Sequence, residues 1–523
     1  MSDAPLPPGL DRASYDKAMA ELRSELGDAK VLDSRLDRQT YLDPYALGSG
    51  LDHESCGALA PTSVEEVQAI VGIANRHKLP LWPVARGKNL GYGAAAPVMA
   101  GTAIVDMTRM NRILDVDTQF AHCTIEPGVG FYQMDQHLTA NNIPLWMSVP
   151  ANGWGSLVGN ALERGIGYTP YGDNTSKLCG LEVVMPDGKL VRTGLGAMDG
   201  NKAWANYQYG FGPSWDQMFA QSNFGIVTKA NMWMMPEPEL SFHALVNLPK
   251  MEDIVWAMDV LAKLRLTGVV DHNVVFGNYL HDASAMTTRA DWYDGPGPIP
   301  DDIAEKIQKK FNVGWWTFHI SVYGDEPVAL AKKALIDAAF KDKLAEPIPW
   351  KPLHAGEPRE EFAVAAGKPF VLPLAVVNWM GGRGGHIGFS PIMPPSGKLA
   401  WEAFLRRKKR FEAAGLDYYS SFTVGHRHIS NVNMIIYDRD DETMTTKAHD
   451  LFVQMIADAR AEGYGEYRTH IDFMDAVSKT YDYNGGALMR LNEAVKDTLD
   501  PNGIIAPGKN GIWPQRLRAG RTA

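Results

Sequence analysis

One stretch of the sequence decides the fold, and it reads Leu81-Trp82-Pro83-Val84-Ala85-Arg86-Gly87-Lys88-Asn89-Leu90-Gly91-Tyr92-Gly93. The first five residues are apolar and predict a short buried strand. The three glycines that follow within seven residues let backbone N–H groups converge on an anion. The loop is not a Walker motif, because Gly87-Lys88 is followed by Asn89 rather than by Ser or Thr. Taken alone, such a loop is more often a tight turn than a binding site.

A second glycine-rich stretch strengthens the case for a bound ligand. It reads Gly153-Trp154-Gly155-Ser156-Leu157-Val158-Gly159-Asn160. A dinucleotide-binding Rossmann fold needs GxGxxG between a strand and a helix, but Gly128-Val129-Gly130 lacks the third glycine. Two glycine-rich loops without a Rossmann motif therefore indicate a diphosphate-binding site in a fold other than the Rossmann fold.

The pattern around these loops predicts an α+β protein in which the arrangement of strands and helices changes near residue 240. The first helix begins at a capping box, Ser63 with Glu66. Two prolines, Pro236 and Pro238, mark a boundary. Beyond it, apolar runs and amphipathic stretches predict an antiparallel sheet covered by helices. The predicted strands are 81–85, 102–106, 121–125, 181–185, 242–248 and 315–323, and the predicted helices are 251–266, 326–340, 398–414 and 443–462, with loop and short helix from 464 to 514.

Length, charge and cysteine content narrow the class of protein. A chain of 523 residues exceeds what one hydrophobic core organises, so two or more domains are expected. The net charge of -10, without a long basic block, argues against nucleic acid or an anionic membrane surface as a partner. Cys56, Cys123 and Cys179 form no CxxC pair and indicate free thiols in a reducing compartment. We recognise no signal peptide, lipidation signal or membrane span, and expect a cytoplasmic protein.

Five segments together resemble one known family. They are Ala60-Pro61-Thr62-Ser63-Val64-Glu65-Glu66-Val67, residues 86–93, Glu163-Arg164-Gly165-Ile166-Gly167-Tyr168-Thr169-Pro170-Tyr171-Gly172-Asp173, Gln221-Ser222-Asn223-Phe224-Gly225-Ile226-Val227-Thr228 and Asp500-Pro501-Asn502-Gly503-Ile504-Ile505-Ala506-Pro507-Gly508-Lys509. In order and content they resemble the vanillyl-alcohol oxidase/p-cresol methylhydroxylase (PCMH) family. The resemblance implies a two-domain PCMH-type FAD-binding fold with an inserted cap domain for the substrate. The implied domains are an FAD-binding domain of residues 1–238 and 464–523 and a cap domain of residues 239–463.

His386 is the candidate for covalent attachment of FAD. It lies in Gly381-Gly382-Arg383-Gly384-Gly385-His386-Ile387-Gly388-Phe389-Ser390-Pro391, where flanking glycines let a planar ring approach the backbone. A neutral imidazole is also a competent nucleophile. From spacing alone, a histidine on a surface loop is the commoner interpretation. The resemblance implies the flavin link at this position, and the absence of a Tyr from the segment favours the oxidase branch of the family.

Tyr467 and Arg468, with Tyr92, are the candidate substrate-binding residues. A Tyr–Arg pair can donate hydrogen bonds and a fixed positive charge to one oxyanion, although an exposed Arg beside a packed Tyr is the ordinary interpretation. The resemblance implies that the three side chains bind a para-substituted phenol as phenolate. It further implies hydride transfer from the benzylic carbon to the flavin, a quinone methide, and reoxidation by O₂ with release of H₂O₂.

Two alternatives to an oxidase stay open. A dehydrogenase or hydroxylase of the same fold would pass its electrons to a cytochrome or another carrier. A protein that binds FAD without catalysis, such as a redox store, is the alternative of another class, against which the three phenolate-binding residues count. The family also implies a homodimer or a higher homo-oligomer.

The sequence departs from vanillyl-alcohol oxidase at two positions. Ala151 stands where that enzyme has an Asp that serves as the acid/base group, and His426 and His428 are candidates to replace it. We expect these two histidines on a strand that faces the pocket. An HxH pair on a strand could bind a metal ion. Because no third ligand is near in the sequence, no metal is expected at this pair. Gly388 stands where the relative has a bulky aromatic residue. A cavity on the order of 100 Å³ would follow, with room for a bulkier, phenylpropanoid-type phenol.

The motifs assign further residues to the cofactor and to the pocket. The cofactor-binding set is Arg86, Gly87, Lys88, Asn89, Leu90, Gly91, Gly93, Pro150, Ala151, Gly155, Ser156, Gly159, Asn160, Gly165, Tyr168, Gly225, Ile226, Val227, His386, Arg468 and Lys509. The substrate pocket is assigned to Tyr168, Gly388, Ser421 and His428.

Overall fold

A computed structural model describes residues 4–519 and begins with a small mixed sheet. Its strand order is β1-β2-β4-β3, in which β4 pairs parallel with β2 and β3. The strands are β1 (Val31–Leu32), β2 (Gly57–Leu59), β3 (Leu81–Val84) and β4 (Ala103–Asp106), and the helices are α1 (Arg12–Leu26), α2 (Arg35–Gln39) and α3 (Val64–His77). As predicted, Ser63 caps α3 by accepting a hydrogen bond from the backbone N–H of Glu66.

A second, antiparallel sheet follows with the order β5-β6-β10-β8-β9. It is formed by β5 (Ile113–Asp117), β6 (His122–Ile125), β8 (Leu178–Val184), β9 (Leu190–Arg192) and β10 (Ile226–Trp233), while β7 (Leu145–Trp146) pairs with β11 (Met235–Pro236). The helices of this region are α4 (Phe131–Ala140), α5 (Leu157–Leu162) and α6 (Asp216–Phe219). Helix α5 begins inside the second glycine-rich stretch, where Ser156 accepts a hydrogen bond from the N–H of Gly159 at 2.8 Å.

The third sheet has nine antiparallel strands and follows the boundary near residue 240. They are β12 (Leu240–Leu248), β13 (Val274–Asn278), β14 (Trp316–Gly324), β15 (Lys351–His354), β16 (Gly384–Phe389), β17 (Pro391–Met393), β18 (Tyr419–Val424), β19 (Ile429–Asp438) and β20 (Gly465–Glu466). The helices are α7 (Ile254–Leu266), α8 (Tyr279–Ala283), α9 (Asp301–Phe311), α10 (Glu326–Phe340), α11 (Gly397–Ala414) and α12 (Glu442–Glu462). A large apolar core lies between the sheet and α7, α10, α11 and α12, and α8 and α9 belong to a smaller one, which confirms the α+β architecture.

The C-terminal region differs from its predicted loop and short helix. It contains α13 (Met474–Lys479), α14 (Tyr483–Leu499) and α15 (Gln515–Arg518). Helix α14 has 17 residues. Asn484, Gly485 and Gly486 near its start have positive φ angles, and residues of these types make a helix hard to predict from the sequence. Buried Lys496 holds the helix in place by donating to the Asp500 carboxylate and to backbone carbonyls.

The prediction that the HxH pair lies on a strand is wrong. Residues 425–428 form the turn between β18 and β19, which the N–H of Gly425 closes by donating to the carbonyl of His428 at 2.9 Å. The domain limits at residues 239 and 464 stay predictions. None of the helices between residues 4 and 519 combines the length and the hydropathy that a bilayer span requires.

Candidate active site

A cavity of about 350 Å³ brings together most of the predicted site residues. Both glycine-rich stretches, the segment after α12 and the strands β16, β18 and β19 contribute to its lining. The predicted residues in the lining are Arg86, Gly87, Lys88, Asn89, Leu90, Tyr92, Pro150, Ala151, Gly155, Ser156, Gly159, Asn160, Tyr168, Gly225, Ile226, Val227, His386, Gly388, Tyr467, Arg468 and Lys509.

Three predicted glycines lie behind the lining, where a side chain would not fit. A Cβ at Gly91 would lie 2.5 Å from Cε1 of His386, and one at Gly93 would lie 2.6 Å from Cγ2 of Ile471. A Cβ at Gly165 would meet the Asn160 side chain at 2.1 Å. The first loop therefore packs directly against His386, because glycine permits both the close approach and the positive φ of 81° at Gly91.

His386 lies in β16 and is 4 % exposed. Burial lowers the pKa of its imidazole to about 4, so the ring is neutral at physiological pH. Its Nδ1 is buried and has no hydrogen-bond partner within residues 4–519. A buried nitrogen without a partner costs about 1–3 kcal/mol, so this atom is suited to a bond with a group in the cavity.

The cavity also fits the diphosphate part of FAD. Three basic residues, Arg86, Lys88 and Lys509, belong to its lining, together with residues of both glycine-rich stretches. Lys509 is paired with Glu163 at 2.5 Å. Positive side chains beside glycine-rich backbone are the donor set that a diphosphate requires.

The sequence did not indicate a network of buried charged side chains that lies behind His386. His470 Nε2 lies 2.8 Å from an Asp43 carboxylate oxygen, and its Nδ1 lies 3.3 Å from Asp472. Burial opposes a charge on His470, but the two carboxylates raise its pKa to about 9. The Tyr45 ring lies 5.1 Å from the His386 ring. No local signal could reveal this network, because Asp43 and His470 are 427 residues apart.

Tyr92, Tyr467 and Arg468 form a cationic cluster on the cavity wall. The guanidinium carbon of Arg468 lies 4.2 Å from the centre of the Tyr92 ring and 5.6 Å from that of Tyr467. Burial raises the pKa of Tyr467 to about 12 although Arg468 lowers it, so the hydroxyl keeps its proton at neutral pH. Burial opposes the charge of Arg468, but the two tyrosines raise its pKa above the usual value. The cluster thus offers a fixed positive charge and hydroxyl donors to one anion.

Glu466 is a buried carboxyl group next to this cluster. The carboxyl group is buried, and burial raises its pKa well above the ordinary value. One oxygen accepts a hydrogen bond from the N–H of Ser390 at 3.1 Å, and the other has no partner in the described chain. The positive charge of Arg468 acts in the opposite direction and lowers the pKa of Glu466.

The expectation that Gly388 opens space for a bulkier phenol stays a prediction. Gly388 lines the cavity, and a Cβ at this position would lie 3.1 Å from the Tyr92 hydroxyl. Gly388 therefore lets Tyr92 come close to β16. The lining also contains Tyr168 and residues that the sequence did not indicate, among them Pro373, Leu374, Thr423 and Met434.

Three predicted residues lie away from the lining. His426 is exposed in the turn after β18, and His428 packs against Gly425 in the same turn. Ser421 is buried in β18, two residues before Thr423, which does reach the cavity. His426 and His428 are therefore not placed to replace the missing Asp at Ala151. Glu163 is the one carboxylate in the lining formed by residues 4–519, and it pairs with Lys509.

Known proteins with similar sequences bind FAD. Residues 57–194 match the family described as FAD binding domain, and residues 310–510 match the C-terminal domain of FAD linked oxidases. The chain is 34% identical over 516 residues to the 4-cresol dehydrogenase (hydroxylating) flavoprotein subunit of Pseudomonas putida, with 98% of both chains covered. It is 27% identical to the 1'-carboxy-chondrochloren decarboxylase of Chondromyces crocatus, over 97% of this chain and 99% of the relative.

Two solved structures share the whole fold. The 4-ethylphenol oxidase of Gulosibacter chungangensis, in complex with isoeugenol, superposes with a TM-score of 0.93 at 31% identity, covering 98% of this chain and all of that one. A p-cresol methylhydroxylase with bound substrate superposes with a TM-score of 0.91 at 33% identity, covering 97% and 99% of the two chains. Sequence, fold and cavity agree, and the chain belongs to the vanillyl-alcohol oxidase/p-cresol methylhydroxylase family of FAD-binding oxidoreductases.

Proposed function

We propose that this protein oxidises para-substituted phenols, which it binds as phenolates, with FAD attached through His386. One observation carries the proposal: Arg468, Tyr92 and Tyr467 form an anion-binding cluster in the same cavity as the unpartnered Nδ1 of His386. The relatives support the substrate class, since their names specify 4-cresol and 4-ethylphenol.

The cluster would act by stabilising the phenolate oxygen. The charge of Arg468 and the hydroxyl of Tyr467 favour loss of the phenolic proton, and a phenolate releases electrons through the ring to the para carbon. Because the side chains are already assembled around a buried position, little reorganisation is required when the substrate binds. Tyr168, whose pKa burial raises to about 12, adds a neutral hydroxyl to the wall.

His386 and the cations of the loops would hold the cofactor. FAD, when bound, supplies the acceptor for the two electrons and the hydrogen that leave the benzylic carbon. The neutral imidazole of His386 is available for a covalent bond. Arg86, Lys88 and Lys509 would balance the charge of the diphosphate.

A phenol and its methyl ether test the proposal directly. Under anaerobic conditions 4-ethylphenol should bleach the flavin absorbance, whereas 4-ethylanisole, which cannot form a phenolate, should not. Equal bleaching by both compounds would refute the role of the cluster. Failure of every para-substituted phenol to bleach the flavin would instead support a non-catalytic FAD-binding protein.

The electron acceptor is a separate question with two candidates. We favour O₂, as in an oxidase, because the sequence around His386 lacks a Tyr. The relative named a dehydrogenase flavoprotein subunit supports a second candidate, an electron-carrying protein such as a cytochrome. Rapid mixing of the reduced protein with O₂ distinguishes them, since a sluggish second-order reoxidation favours the dehydrogenase. A cytoplasmic location and a homo-oligomeric state stay predictions.

A further inference from the structure

A second cluster of ionisable side chains lies on the third sheet, outside the cavity lining. It consists of His281 and Asp282 of α8 and His319 of β14. One ligand atom from each side chain lies within 4.8 Å of the other two. The sequence gives no sign of the cluster, because its two parts belong to elements that are not consecutive.

The backbone brings the three side chains together. Strand β13 pairs with β14 so that Val275 lies opposite His319, and α8 starts directly after β13. Gly277 lets α8 fold onto the strand, since a Cβ there would lie 2.5 Å from Cγ of His281. The positions of His281 and His319 therefore follow from the strand register and not from flexible loops.

The cluster contains a paired carboxylate and an imidazole nitrogen without a partner. His281 Nδ1 lies 2.9 Å from an Asp282 carboxylate oxygen. Burial would raise the pKa of Asp282, but the two imidazoles lower it, so the carboxylate is ionised. Burial lowers the pKa of His319, and its Nε2 has no hydrogen-bond partner in the described part of the chain. An imidazole nitrogen without a partner, close to a carboxylate oxygen and a second imidazole, is a set of donor atoms that a metal ion can use.

We propose that His281, Asp282 and His319 bind one divalent transition-metal ion, for which Zn²⁺ is the best match. Two imidazoles and one carboxylate suit Zn²⁺ better than Mg²⁺ or Ca²⁺, which prefer oxygen ligands. Bonds of about 2.0–2.2 Å to Zn²⁺ place tetrahedral ligand atoms roughly 3.4 Å apart, so atoms that already lie within 4.8 Å of one another need to move closer to complete the site. Solvent can deliver the ion, because the side chains of His281 and Asp282 are 21% and 23% exposed.

The ion would be structural rather than redox-active. Its binding links α8 to β14 and holds the His281 ring, which lies 5.7 Å from the ring of Tyr419. Tyr419 in turn neighbours Tyr168 of the cavity wall. The metal would therefore stabilise the sheet behind this wall without contacting the cavity.

Metal content after removal and reloading tests the site. The flavin-containing protein is treated with EDTA, incubated with Zn²⁺, passed through a desalting column and analysed for metal. The wild type should retain about one Zn²⁺ per chain, and His319→Gln and Asp282→Asn should each lose most of it. His449→Gln is the matched control: His449 and Asp450 form the same adjacent pair at 3.2 Å, on the exposed surface of α12. That variant should retain its Zn²⁺.

Two results would overturn the proposal. One is a wild type that retains no Zn²⁺, and the other is retention in His319→Gln with loss in His426→Gln, which would assign the ion to the exposed turn. If His319→Gln does not fold, judged by its flavin absorbance, His281→Gln replaces it, since that side chain is partly exposed. Free Zn²⁺ should also raise the unfolding temperature of the EDTA-treated wild type and leave that of the binding-deficient variants unchanged.

Discussion

Two glycine-flanked histidines in the third sheet have opposite environments. His386 lies in the middle of β16, opposite Ile436 of β19, and is buried in the wall of the cavity. His426 follows Gly425 in the turn at the end of the same sheet and is exposed. Both are candidates for chemistry in the sequence, and each directly follows a glycine. The difference teaches that the register of the strands, rather than the residue type, decides which histidine can reach a ligand.

The largest expected effect is on the flavin link. His386→Ala should release the flavin on acid precipitation, because no other nucleophile replaces the imidazole at Gly91. Measured on the same gel by flavin fluorescence, His426→Ala should keep its covalent flavin. Loss of the link in both variants, or in neither, would remove the functional difference between the two histidines.

The next largest effect is expected from removing a positive charge from the cavity wall, compared with removing one from the turn at residues 425–428. Arg468→Met should lower kcat/KM for 4-ethylphenol by about 10²–10³, the usual cost of removing one group that stabilises a developing or bound oxyanion. Arg427→Met removes an exposed arginine from the turn and should change kcat/KM by less than about twofold. Steady-state kinetics on both variants would contradict the proposal if their losses were similar.

A smaller effect is expected from adding one methyl group at a glycine of the cavity wall, compared with a glycine of the turn. Gly388→Ala should raise KM for 4-ethylphenol by about tenfold, because the new Cβ, 3.1 Å from the Tyr92 hydroxyl, displaces that side chain from the phenolate position. Gly425→Ala places a Cβ 2.5 Å from Cε1 of His428 in the turn, so it is a more crowded control away from the cavity. It should leave KM unchanged. An unaltered KM in Gly388→Ala would show that Tyr92 does not bind the substrate.

The smallest expected effect is the pH dependence of stability that comes from the buried His470. The pKa of His470 is raised to about 9 in the folded protein, above its ordinary value of 6.5. Its contribution to stability is therefore complete below pH 6.5 and is lost as the pH rises through about 9. The unfolding temperature should fall across this range in the wild type.

Removal of the partner carboxylate provides the control for this pH effect. Asp43→Asn should make the fall in unfolding temperature smaller, since one of the two carboxylates that hold the proton on His470 is gone. His449→Gln alters an exposed histidine and should leave the pH profile unchanged. A wild-type profile that is flat between pH 6.5 and 9 would contradict a charged His470.

The sequence predicted the elements whose signals are local. The helix predicted at 326–340 is observed as Glu326–Phe340, and the helix predicted at 398–414 begins one residue earlier. Both glycine-rich stretches, Tyr92, Tyr467 and Arg468 were also predicted and lie in one cavity. The turn at residues 425–428 could not be predicted, because a hairpin closes through pairing with another strand and its sequence also suits a strand.

By itself, the sequence determined the α+β class, the two glycine-rich loops and the residue types available for anion binding, because apolar periodicity and glycine content act over a few residues. Only the tertiary structure decided which of these residues meet. It set Gly91 against His386, paired Asp43 with His470, brought Asp282 close to His319, and placed Tyr92 beside Gly388. Such contacts depend on strand register and on the approach of segments hundreds of residues apart, and these follow from packing of the whole chain.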